Sequence, residues 1–195
     1  MTISTLIASA LNISESQIRK TIDLLDSGAT IPFISRYRKE VTGGLDEVQI
    51  AAIKDQNDKL IELLKRKETI LSSIEEQEKL TPELRKRIEN CWVSSELEDI
   101  YLPYRPKRRT KAEMAREKGL EPLAQMIFLQ NKIDVATKAS SFVNDEVKDT
   151  EEAINGAKDI IAEWVSENEE ARNGIRNLFQ RHGHITSKVI KGKEE

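Results

Sequence analysis

The densest chemistry in this chain is cationic. From Tyr104 to Lys118 the sequence reads YRPKRRTKAEMAREK. Arg105, Lys107, Arg108, Arg109, Lys111, Arg116 and Lys118 there meet only Glu113 and Glu117, a balance of seven against two, or +5. Guanidinium forks hydrogen-bond phosphate oxygens in pairs, and the opening of a helix adds unsatisfied N–H groups and a positive dipole end. Thr110, with Glu113 three residues on, has the spacing of a capping box, so the run lies in a loop just ahead of a helix. Arg105, Lys107, Arg108, Arg109 and Lys111 are therefore candidate contacts to a nucleic-acid backbone, without base readout. The alternative is that they brace acidic neighbours. Two such neighbours are the Glu96-Glu98-Asp99 cluster and residues 142–171, where ten carboxylates oppose Lys148 and Lys158, a balance of −8.

A second cationic group follows a corner. Ser14 and Gln17 have capping-box spacing, Ile18, Ile22 and Leu25 share one helical face, and Gly28 stands where a left-handed residue would end the helix. After Ala29-Thr30-Ile31, Pro32 opens a short helix over Pro32–Lys39 that carries Arg36, Arg38 and Lys39. Helix, four-residue turn and helix make a helix-turn-helix pattern, whose second helix would enter the major groove. Pro32, Phe33, Ile34 and Tyr37 are apolar enough to be buried, which would leave only part of that helix for DNA.

Other chemistries find little support. There is no P-loop, GxSxG, HExxH or GxGxxG. His182 and His184 would share a face only on a strand, and two ligands without a carboxylate or cysteine cluster rarely hold a metal. Cys91 falls at helical spacing from Leu84 and Ile88, as a small core hydrophobe does. The acidic stretch lacks the register and central glycine of an EF-hand. No catalytic residue, metal ligand or cofactor is expected, and the chain is not read as an enzyme.

The elements that position these groups read as an all-α, multi-helix module. No Gly or Pro interrupts about 45–77, where Ile53, Asn57, Leu60, Leu64, Lys67, Leu71 and Ile74 alternate by four and three. That predicts one long central helix of ~50 Å, packed on its own chain because Asn57 and Lys67 are polar. Further helices follow Thr81-Pro82, Ser94, Thr110, Pro122, Asp134, Thr150 and Asn168. After Gly183 the alternation His184–Ile190 could form a short strand near 184–190. The organisation expected is a helical module over 1–183, with a subdivision near 131–150, and a connection beginning at 184–195.

The composition agrees. The 195 residues are 38% hydrophobic, 33% charged and only 5% aromatic, which favours helices over a β-sandwich. No apolar run reaches the roughly 20 residues of a membrane span, the N-terminus has no basic region before its apolar stretch, and Cys91 is the lone cysteine. A cytoplasmic protein without membrane contact is expected. The net charge of −3 hides the split between the +5 and −8 segments.

Three long runs carry a resemblance. They are Gly28-Ala-Thr-Ile-Pro-Phe-Ile-Ser-Arg-Tyr-Arg-Lys-Glu-Val-Thr-Gly-Gly-Leu-Asp-Glu47; Leu97-Glu-Asp-Ile-Tyr-Leu-Pro-Tyr-Arg-Pro-Lys-Arg-Arg-Thr-Lys-Ala112 continuing into Ala115-Arg-Glu-Lys-Gly-Leu-Glu-Pro-Leu123; and Gly156-Ala-Lys-Asp-Ile-Ile-Ala-Glu163 with Arg172 and Arg176 beyond. They resemble the N-terminal region of the bacterial Tex family of transcription accessory proteins. The resemblance implies a helical N-terminal region with helix-turn-helix character. It also implies ribonuclease-H-like, helix-hairpin-helix and OB-fold RNA-binding domains further along a longer protein. The function expected is a non-catalytic helical module that contacts the DNA or RNA backbone through its basic patches. The alternative is a scaffold that packs on the C-terminal domains of the same protein. The transcription machinery is a further expected partner.

Overall fold

The computed structural model describes residues 2–106 and 109–192. Twelve α-helices and one 3₁₀ turn lie among the described residues, which form two compact units, Met1–Leu97 and Glu98–Glu195. The division falls inside a helix, and residues 131–150 lie within the second unit.

In the first unit, short polar side chains set the helix starts. Thr2 caps α1 (Ile3–Leu11), Ser14 caps α2 (Glu15–Asp26) and Thr30 caps α3 (Ile31–Tyr37), each accepting a hydrogen bond from the amide three residues on. Gly28 takes the expected left-handed conformation at φ 88°. The helix expected over Pro32–Lys39 is broken at Arg38, whose φ/ψ of −130°/26° is not helical, and a short α4 (Lys39–Thr42) follows. Gln17 reaches Ser14 only through its side chain, Oε1 accepting from the Ser14 hydroxyl (2.8 Å), and not through the backbone amide that completes a capping box. Its Nε2 donates to the carbonyls of Thr42 (3.0 Å) and Gly43 (3.3 Å), tying α2 to the end of α4. A full capping box forms at Asp46 and Gln49, opening the long helix α5 (Glu47–Glu75).

The long helix is present, but its seam differs from the spacing rule. Ile50, Ile53, Asn57, Leu63, Lys67, Ile70 and Ile74 are buried, while Leu60, Leu64 and Leu71 are half-buried. A heptad seam persists only where one partner helix winds alongside; a straight helix drifts by ~20° per heptad. Here α5 meets α1, α2, α3 and α6 (Pro82–Asn90) instead of one parallel partner. One core joins Ile7, Ile18, Ile34, Leu45, Ile50 and Ile53. On α6, Leu84 and Ile88 are buried, as is Cys91 just after it.

The chain then forms α7 (Ser94–Tyr101), a 3₁₀ turn (Leu102–Tyr104), α8 (Lys111–Glu117), α9 (Glu121–Phe128), α10 (Val135–Ser140), α11 (Thr150–Glu167) and α12 (Glu169–His182). In the second unit α11 is the hub, touching α8, α9, α10 and α12. Its core is rich in small residues: Ala112 and Ala115 of α8, Ala153 and Ala157 of α11, and Leu120, Leu123 and Ile160. Gly156 lets α8 approach, since a methyl group there would collide with Leu120 and press on Ala115.

The strand expected near 184–190 does not form. These residues are exposed, outside any sheet, and Ile185 is fully accessible. Alternating side chains make a strand only where a second extended segment supplies the hydrogen-bond ladder, and among the described residues none does.

Candidate nucleic-acid interface

The basic segment divides within α8. Towards the end of that helix its cations turn to α11: Arg116 Nη2 lies 2.7 Å from Glu163 Oε1, and Lys118 Nζ, just past the helix, lies 2.5 Å from Glu152 Oε1. The Lys118 hydrogen bond, helped by the Lys148 amide, holds the Glu152 carboxyl below its ordinary range. Thr110 Oγ1 accepts from the Glu113 amide (3.0 Å) and pairs with Glu163 Oε2 (3.2 Å). The two helices are thereby joined by opposite charges.

Ahead of the helix and at its first residue the arrangement is different. Arg109 meets Glu117 on the surface, Nη2 to Oε2 2.8 Å, and that hydrogen bond raises its pKa above the ordinary value. Arg105 and Lys111 are exposed and form no ion pair among the described residues. Both line an open groove of about 540 Å³, whose α11 side presents Asp159, Glu163 and Glu167. Lys107 and Arg108 lie outside the described residues.

The α3 corner is exposed where burial was expected. Ile34 and Ser35 are buried, but Phe33 is 41% and Tyr37 66% exposed. Their rings pair at 5.5 Å between centroids, and the Arg38 guanidinium lies 5.6 Å from the Phe33 ring centroid. Arg36, Arg38 and Lys39 are all exposed. Arg38 has Glu40 at 3.8 Å, whereas Arg36 and Lys39 form no ion pair among the described residues. The short helix explains the error: on seven residues only one narrow stripe can face the core, and Ile34 takes it.

Comparison with known proteins bears on both halves of the chain. The family model described as "Tex-like protein N-terminal domain" matches residues 1–75, and that described as "Tex central region-like" matches residues 130–195. The "Transcriptional accessory protein Tex" of Neisseria gonorrhoeae is 42% identical over 194 residues, covering 100% of this chain and 26% of that protein. The chain belongs to the Tex family. "Protein tex" of Bordetella pertussis is 44% identical over 190 residues, covering 96% of the chain and 24% of the relative. The "S1 RNA-binding domain-containing protein 1" of Homo sapiens is 31% identical over 175 residues, 87% of the chain and 17% of the relative. This Tex chain thus spans about a quarter of the length of the bacterial relatives it matches.

Two polar sites of the Tex chain escaped the sequence reading. Asp99 is buried at 2% exposure and receives Arg172 Nε at 2.5 Å and Arg176 Nη2 at 2.6 Å, both from α12. Burial pushes its carboxyl up, but the hydrogen bonds and charges of the two guanidiniums outweigh this and hold the pKa below the ordinary value. Lys67, 4% exposed, donates to the Glu89 carbonyl near the end of α6 (2.7 Å) and sits 3.8 Å from the Trp92 ring centroid. Burial lowers its pKa, with Cys91 and Glu89 pulling the other way. The polarity of Lys67 was legible in the seam; its ring and carbonyl partners were not.

His182 ends α12 and His184 lies beyond Gly183 in exposed chain. No group of three or more His, Cys, Asp or Glu side chains among the described residues is placed to hold a metal ion. No helix among them is long and apolar enough to cross a membrane.

Proposed function

We propose that the chain is a non-catalytic helical module of a transcription accessory protein that adds weak, salt-sensitive contacts to nucleic-acid phosphates. The observation that carries this is the exposure of Arg36, Lys39, Arg105 and Lys111 without an ion pair among the described residues. Exposed cations not held in an ion pair release the counterions of a polyanion on contact, which is the source of non-specific affinity. The names of the relatives, transcriptional accessory protein and S1 RNA-binding domain-containing protein, fit a nucleic-acid setting.

The test is a salt titration of binding to mixed-sequence duplex. Four phosphate contacts give a slope of log K on log salt of about −3.6. Charge reversal at Arg105 and Lys111 should reduce that slope by about two contacts. A flat slope, with affinity no better than ~10⁻⁴ M at physiological salt, would overturn the reading.

A second reading has its own observation. The Arg116–Glu163 and Lys118–Glu152 pairs commit two of the seven cations of the basic segment to internal bracing. In this scaffold reading the module packs on other domains of the longer protein, and the groove acids Asp159 and Glu167 keep phosphates away from Arg105. Charge reversal at Arg105 and Lys111 would then leave nucleic-acid affinity unchanged.

A further inference from the structure

The Phe33–Tyr37 surface of α3 combines two features that separately would carry little. The first is aromatic: two exposed rings one helical turn apart, with Tyr37 the more open of the pair. The second is cationic: Arg36, Arg38 and Lys39 lie within three residues of those rings against a single local carboxylate, Glu40. Exposed tyrosine and phenylalanine side by side on a helix leave apolar area in water that a partner of suitable shape would cover.

We propose that this face binds single-stranded nucleic acid, with Tyr37 and Phe33 as a stacking platform for unpaired bases and Arg36, Arg38 and Lys39 as contacts to the flanking phosphates. This deepens the nucleic-acid reading above and rests on it. Each nucleotide of a single strand presents a flat π-face and an anion a few ångströms apart, and this face presents two exposed rings with exposed cations next to them in the chain, Arg38 at 5.6 Å from the Phe33 ring centroid. A duplex offers only its phosphates here, because its base faces are covered by their neighbours. Nor does α3 suit groove reading. A recognition helix reads base edges with its first residues, and those of α3 are Ile31, Pro32 and Phe33, none with a hydrogen-bonding side chain. The Arg38 guanidinium lies over the Phe33 ring, 5.6 Å from its centroid, so Tyr37 is the more open stacking surface, and the guanidinium plane can itself cover a base.

The experiment compares three probes by fluorescence anisotropy on the 195-residue chain: an oligothymidylate, the same oligomer with abasic sites throughout, and a mixed-sequence duplex. The expected result is tighter binding of the oligothymidylate than of the abasic strand. Tyr37→Ala should weaken oligothymidylate binding at least about five-fold, with Tyr37→Trp restoring it and the abasic strand indifferent to both. Tyr37 is exposed, so these variants retain the fold, which circular dichroism checks. Photo-crosslinking of an iodouracil-containing strand should map to the peptide containing Tyr37. Equal affinity for the abasic strand, or no effect of Tyr37→Ala and Phe33→Ala on oligothymidylate binding, overturns the stacking proposal while leaving the phosphate reading intact. Binding of none of the three probes overturns both. Protection of Tyr37 by polyglutamate without any by oligothymidylate would assign the face to an acidic peptide and also overturn the proposal.

Discussion

The carboxylate of Asp99 stays ionised at 2% exposure because two guanidiniums of α12 reach its two oxygens. This contact matters more than its size suggests, since α12 has no buried residue of its own. Hydrogen bonds to charged groups contribute about 1.5–3 kcal/mol each. The side chains of Arg172 and Arg176 remain 41% and 29% exposed, so solvent screening reduces the whole latch to about 1–2 kcal/mol. Asp99→Asn should therefore speed amide exchange in α12 by roughly 5- to 30-fold while leaving α11 unchanged. The pH dependence follows from the direction of the shift. With its pKa below the ordinary carboxylate value when folded, Asp99 contributes its full stabilisation above about pH 4 and loses it as pH falls through the folded pKa. Protection of α12 should decline only in acid below about pH 4, and the variant should show no such decline. Equal protection of α12 in variant and wild type at neutral pH would mean that the latch is not what holds it. The i, i+4 spacing of Arg172 and Arg176 was legible as one face of a helix. Their partner was not, because a contact spanning 73 positions leaves no local pattern.

Between elements, the closest dependence on sequence is at Gly156. Alanine there would gain up to ~1 kcal/mol of helix propensity, but its methyl would collide with the side chain of Leu120, which is 1% exposed, and press on Ala115. Overpacking of this kind costs typically 1–3 kcal/mol, so Gly156→Ala should lower stability by about 1 kcal/mol net. Gly174→Ala on α12, where nothing lies within 4 Å of the added carbon, should raise it. Chemical denaturation of both variants checks the contrast, and equal stability of the two would refute the close-packing account. The helices themselves were legible for a local reason. Thr30, Asp46, Thr81, Thr110 and Asp149 each accept from a nearby amide, and Gly28 and Gly119 adopt the left-handed conformation that ends a helix. What eluded the sequence was which face turns inward. The α5 seam shifts because several short helices cover it, and α3 hides Ile34 while leaving Phe33 and Tyr37 in water. The basic loop shows the same limit: composition marked the cations, but only the fold sorts Arg116 and Lys118 onto α11 from Arg105 and Lys111 in the groove.

Across the whole molecule, the two units differ in what fills them. The first core is built from Ile7, Ile18, Ile34, Ile50 and Ile53, with Ile70, Ile74 and Ile88 buried further along. The second relies on Ala112, Ala115, Ala124, Ala139, Ala153 and Ala157 around Leu120, Leu123 and Ile160. Each buried methylene contributes about 0.8 kcal/mol, so alanine-rich packing gains less from the hydrophobic effect than isoleucine-rich packing, even where helices approach closely. The second unit should therefore unfold first. Each unit carries one tryptophan, Trp92 in the first and Trp164 in the second, where it packs edge-on against Phe128. Trp164→Phe leaves Trp92 to report the first unit, and Trp92→Phe leaves Trp164 to report the second. The two fluorescence transitions in urea should separate, with the Trp164 midpoint lower by about 1 M if the units differ by 1–2 kcal/mol at ordinary denaturant slopes. Coincident midpoints, with a slope proper to all 195 residues, would show that the two cores unfold as one and that their difference in composition has no thermodynamic consequence.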